Sequence, residues 1–188
     1  MGLRAALAVT ATFLLGLAAG LVMPEGWARL VMGLARELVQ RVYVPDPLQL
    51  ALRIFLNNAR AVLLMVALSP IVPVPALITM ANGVFLGVAF RYAASATSLE
   101  AAVLAVAPHG VIEIPAFLYA AASATSFGVP LWRKAFGGRG SWPKILGGLA
   151  RAVALALLLL ALAALVEALV TPALLRLAGL EPGAWPPP

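Results

Sequence analysis

"ILGGLARAVALALLLLALAALVEALVT", residues 145–171, is an apolar run broken by two ionisable side chains, Arg151 and Glu167, and followed by Pro172. Crossing a bilayer as a helix takes about 20 apolar residues, and this run supplies them. The whole chain agrees with it. Of 188 residues, 63% are hydrophobic and only 11% charged, where a soluble domain carries about 25% charged residues. That deficit leaves too little polar surface to coat a globule, so the solvent is a bilayer. The absence of cysteine excludes disulfides and thiolate metal sites. The formal charge of +6 comes without a long basic stripe interleaved with aromatics, which sets nucleic acid aside as a partner. Basic residues in so apolar a chain flank spans and meet anionic headgroups, making membrane lipid the first partner implied.

Working outward, residues 5–23 form a first span ended by "PEG". The run begins after Arg4 like a signal peptide, but exceeds the about 7–15 apolar residues of a signal h-region, so it reads as retained. Residues 25–43 follow, with Trp27, Leu30, Val31, Leu34, Leu38 and Val42 at three- and four-residue steps and Arg29, Arg36, Glu37 and Arg41 largely opposite. That pattern predicts an amphipathic helix, lying in the membrane interface or packed against the bundle. After the turn "PDP", residues 48–69 form a second span and 76–92 a third, joined by the apolar, proline-rich "SPIVPVP". Such a connection is a tight turn near the interface or irregular backbone buried in protein. Ala81, Gly83 and Gly87 give the third span a small-residue face for close helix approach. Residues 99–128 form a fourth segment, long for one span and holding Pro108 and Pro115: one kinked helix, or a re-entrant helix and a full one. The fifth span is 145–171, stopped by Pro172, and residues 180–188, ending "PGAWPPP", are a tail. The fold class is thus an all-α integral membrane protein of about five spanning or re-entrant helices plus one amphipathic helix.

"PLWRKAFGGRGSWPK" supplies Arg133, Lys134, Arg139 and Lys144 without an acid. Placing that loop in the cytoplasm puts the N-terminus inside a multi-pass cell-membrane protein. Arg29, Arg36 and Arg41 pull the other way.

Ionisable groups inside a membrane helix cost about 2.5–3.5 kcal/mol each on insertion scales and face an interior partner or cavity. The candidates are Asn57 and Asn58 on the second span, Asn82 on the third, His109 and Glu113 on the fourth and Glu167 on the fifth. Arg53 and Arg60, seven apart near the second span's start, can snorkel to headgroups. His109 and Glu113 lie one helical turn apart on one face. Pro108 suits a first helical turn, Gly110 makes room beside the histidine, and Pro115 frees the Val111 carbonyl. Three readings follow: polar groups bonded across helices at about 0.6 kcal/mol each; a proton or cation pathway through Glu113, His109 and Glu167; or the same three residues as metal ligands activating water. The third has a single imidazole and no H-E-x-x-H signature. No nucleophile triad, Walker motif or dinucleotide glycine pattern is present, so no catalytic residue and no cofactor is assigned.

"FLNNARAVLL" (55–64), "ITMANGVFLG" (78–87), "APHGVIEIPAFLYAAASA" (107–124) and "AALVEALVTP" (163–172) together resemble the stage II sporulation protein M family. The matching positions are Asn57, Asn58, Asn82, Pro108, His109, Gly110, Glu113, Pro115, Glu167 and Pro172. The resemblance implies a prokaryotic multi-span membrane protein. The namesake serves a complex that remodels septal peptidoglycan in sporulating bacteria, as a scaffold for a hydrolase and its partner, while relatives occur in organisms that make no spores. The expectation is a non-enzymatic membrane scaffold, self-associating or joined to other membrane proteins. Transport of a small ion or solute is the alternative, and a metal-dependent intramembrane hydrolase ranks third.

Overall fold

A computed structural model describes residues 2–139 and 141–179, with His109 described by its backbone only. The tail at 180–188 lies outside the described residues. The elements are α1 (Leu3–Leu21), α2 (Glu25–Val42), α3 (Pro47–Ala67), α4 (Val74–Ala96), α5 (Leu99–Ala135), α6 (Trp142–Leu165), a π-helical turn (Val166–Val170) and α7 (Thr171–Leu177). There is no strand among the described residues. Among the described residues, five stretches are long and apolar enough to cross a membrane: α1, α3, α4, Gly110–Ala135 of α5, and Trp142–Leu177. The protein is a membrane-embedded helical bundle.

α1 and α4 make the most extensive helix contact, through a seam of glycines. A Cβ on Gly16 would collide with the Met80 carbonyl, and one on Gly20 with that of Val84. In return, Gly83 lies against Phe13 and Gly87 against Leu17, backbone on backbone. Contact positions rise together along both helices, so the two run parallel. The face holding Gly83 and Gly87 is therefore occupied within the chain, while Ala81 points outward.

α5 is the central helix, touching α1, α3, α4, α6 and α7. Its buried Ala116, Ala120, Ala121 and Ala124 let Val9, Val62, Met65 and Leu160 close around it. Ser98 caps its start, accepting a bond from the Ala101 N–H at 3.1 Å. It then runs unbroken for 37 residues with Pro108, Pro115 and Pro130 inside, seven residues past the expected end at Gly128. Pro108 is thus interior, not a first-turn proline, because the Ser98 cap starts the helix well upstream. At about 1.5 Å per residue the helix outreaches a bilayer core of about 30 Å.

The proline-rich connection is a tight turn closed by α5. Ser69 is fully buried against Gly128, where a Cβ would overlap the Ser69 carbonyl. The Trp132 indole N–H donates to the Pro70 carbonyl, while Ile71 is exposed. At this same end the Gly2 N–H donates to Ser126 Oγ at 3.0 Å. The N-terminus, the α3–α4 turn and the basic α5–α6 loop therefore share one side of the membrane.

α2 lies at the opposite end. Ala28 and Met32 bury against Val88 of α4, while Trp27, Leu30, Leu34 and Leu38 form an exposed apolar stripe. The Arg91 guanidinium donates to the Met23 carbonyl at 2.6 Å and to Glu25 at 2.9 Å, and the Tyr92 hydroxyl donates to Glu25 at 2.6 Å. These bonds set the corner between α1 and α2. Arg53 donates to the Arg41 carbonyl at 3.1 Å, meeting a free carbonyl of α2's last turn.

The last span does not stop at Pro172. Pro172 has no N–H to give the Ala168 carbonyl and would clash with it, so the backbone widens into a π turn. There the Thr171 N–H reaches the Val166 carbonyl five residues back, and α7 continues to Leu177. Widening of this kind resolves a local misfit without ending a helix.

Candidate functional site

A cavity of about 260 Å³ opens between α4 and α5, with α1 and α2 at its margin. On α4 its wall is Thr79, Asn82, Phe85, Leu86 and Ala89; on α5 it is Val106, Gly110, Glu113, Ile114 and Phe117. Each set repeats at three- and four-residue steps, the face one helix turns toward another. Phe13 of α1 and Ala35 of α2 complete the lining. The volume far exceeds the ~10–15 Å³ that one water requires. Most of the wall is aromatic or aliphatic, and its polar groups come from Thr79, Asn82 and Glu113.

These three are not equivalent. The buried Thr79 hydroxyl is engaged by its own helix, donating to the carbonyls of Ala76 at 2.8 Å and Pro75 at 3.3 Å. The Asn82 amide makes no hydrogen bond to a described residue. Glu113 is half-buried and holds an interaction within the protein. Gly110 leaves the cavity space, as its lack of a side chain allows. The backbone of His109 stands one turn before Glu113 on α5.

Other expected members of the polar centre lie elsewhere. Asn57 is exposed on the outer side of α3 and Asn58 is half-buried, so Asn58 is the inward asparagine. Successive helical residues differ by about 100° in direction, so the pair divides between the two sides. Glu167 is half-buried on the π turn, which packs against α3 and α5, and is not among the residues lining the cavity. Pro115 is exposed and Val111 is 72% exposed. The carbonyl that Pro115 frees therefore lies on the outer side of α5 and not beside Glu113. Among the described residues, no group of three His, Asp, Glu or Cys side chains is placed to hold a metal ion.

Arg60 also stands apart from its expected place. It lies two-thirds of the way along the 21-residue α3 and is exposed. Asp46 caps this helix with a 2.7 Å bond from the Gln49 N–H, followed by Pro47 in the first turn. That cap fixes where the helix begins and carries Arg60 well beyond the first turns. α2 also contributes to the cavity, through Ala35; its signal in the sequence is a line of small and slender residues, Ala28, Met32 and Ala35, beside the bulky stripe.

Comparison with protein-family models matches residues 8–172 to Stage II sporulation protein M. No curated relative and no solved structure matches the chain. The match spans α1 through the π turn and ends at Pro172, taking in the glycine seam, the cavity and the Glu167 turn. This chain is a member of the stage II sporulation protein M family.

Proposed function

We propose that the protein is a non-enzymatic scaffold of the cell membrane, with its N-terminus cytoplasmic, that holds other membrane proteins in a complex. One observation carries this reading: Arg53, Asn57 and Arg60 stand together on the uncovered side of a membrane span. Polar groups facing hydrocarbon are costly and are met by protein or a water-filled cavity. Arg53 is met within the chain by the Arg41 carbonyl, whereas Asn57 and Arg60 make no hydrogen bond or ion pair to a described residue. A face of that kind fits a component whose bundle is completed by a partner. The acid-free basic loop sharing a membrane side with the N-terminus supports that orientation. The test is to extract the protein from its own membranes in a lipid-preserving polymer disc. The scaffold reading expects a particle containing further membrane protein; a lone 19.4 kDa chain with lipid refutes it.

Transport is the second reading, favoured by the cavity that brings Asn82 and Glu113 together. It demands a proton or cation flux in sealed liposomes that Glu113→Gln abolishes. Absence of flux with folded protein removes it.

A further inference from the structure

We propose that the outer face of α3, centred on Asn57 and Arg60, seats one membrane-spanning helix of a different protein that carries a carboxylate at mid-depth. This deepens the scaffold reading and rests on it.

Arg53, Asn57, Arg60 and Leu64 follow one another at three- and four-residue steps, so they form one line along α3, and all four are exposed. The opposite side of the helix carries the buried Ala51, Ile54, Val62 and Met65. Arg60 lies about 10 Å from the C-terminal end of α3 and about 20 Å from its start, at about 1.5 Å per residue. The Cα–Cβ bond of a helical residue tilts toward the helix N-terminus. That direction carries Arg60 toward Asn57 and the bilayer centre, away from the nearer headgroups. Snorkelling, which serves cations near helix ends, is therefore poorly available to it. A guanidinium with five donors and no acceptor is answered by a carboxylate, often two bonds at once. Asn57, one turn away, offers both an amide N–H₂ and a carbonyl to the same partner. Exposed Leu56, Leu63 and Leu64 flank the pair and supply apolar contact for a helix laid alongside.

A second copy of the chain does not meet these demands. A two-fold contact across this face would set Arg60 near its own copy. The acids within the spans are placed elsewhere, Glu113 on the cavity and Glu167 on the half-buried π turn. A lipid headgroup resides at the interface, not at the depth of Asn57.

The experiment uses the full chain in phosphatidylcholine vesicles with a fluorescent Leu/Ala host helix of about 20 residues, bearing Glu, Gln or Leu at its centre. The chain has no native cysteine, so a single one introduced at the exposed Ile71, in the α3–α4 turn and off this face, carries the energy-transfer acceptor. The Glu helix is expected to associate about tenfold more tightly than the Leu helix, a difference that one charge-assisted pair supplies. Arg60→Gln should erase that preference and Arg60→Lys should keep most of it, which separates charge from packing and from misfolding. Equal association of the Glu and Leu helices overturns the assignment, as does disulfide capture of a second copy through an unlabelled cysteine placed separately at residue 64. Particle mass in native discs reads the scaffold role separately, so a lost carboxylate preference refutes this assignment alone.

Discussion

Gly83 of α4 rests directly on the backbone of Phe13 in α1, with no room for a methyl group between them. That contact and its three glycine neighbours hold two parallel helices at backbone distance. Substituting Gly83 with Ile should cost about 1–3 kcal/mol or more, as overpacking of a close contact does. Gly33, which has open space around it on α2, gives the opposite result: Gly33→Ala should stabilise by about 0.5–1 kcal/mol through helix propensity. Thermal unfolding of both variants in one detergent checks the pair, and equal shifts would mean that the seam is not tight.

Glu25 ties the α1–α2 corner to the end of α4 through Arg91 and Tyr92. The carboxylate is more than half exposed, so Glu25→Gln should change global stability by less than about 1 kcal/mol. Its effect should be local. Hydrogen exchange in the first turns of α2 is expected to speed up while α5 is unchanged; uniform loss of protection would show a larger structural role.

The shared side of the N-terminus and the basic loop yields a topology test. Single cysteines at Gly137 and Gly33 should behave oppositely in intact cells, with only residue 33 open to an impermeant maleimide. Labelling at 137 alone reverses the orientation, and labelling of both contradicts the span arrangement.

Pro172→Ala restores an N–H that can donate to the Ala168 carbonyl. The π turn should relax to α-helix, adding about 1 kcal/mol from the regained bond and turning Glu167 by about 100° relative to α7. Exchange at residues 166–171 should slow in the variant; unchanged exchange would show that the turn is held by its surroundings and not by the proline.

The spans and the amphipathic helix were legible because apolar length and three-to-four periodicity are local properties. Asp46 and Pro47 announced the start of α3 in the same way. Proline was less readable: Pro108 fits a first turn by itself, and only the Ser98 cap upstream makes it interior. Pro172 resembled a terminator because a π turn that absorbs it depends on Thr171 reaching Val166. Gly16 and Gly20 stand four apart, as Gly83 and Gly87 do, but which glycine face meets which is a property of the assembled bundle. The candidate site divided for a related reason. Asn82 and Glu113 line one cavity from α4 and α5, whereas Asn57 and Asn58 part because neighbouring residues on one helix cannot share a direction. Arg60 reads as a snorkelling cation from its spacing to Arg53 alone, and only the Asp46 cap, by setting where α3 begins, fixes its depth.

Arg60 and Asn57, on the proposal above, mark a face completed by another membrane protein. The most direct measurement of this is the mass of wild-type and Arg60→Gln particles isolated from native membranes in polymer discs. The wild-type particle should be heavier than one chain and its lipid, with the excess mass lost in the variant although the variant inserts and folds. Identical masses for the two, whether both heavy or both single-chain, would contradict it.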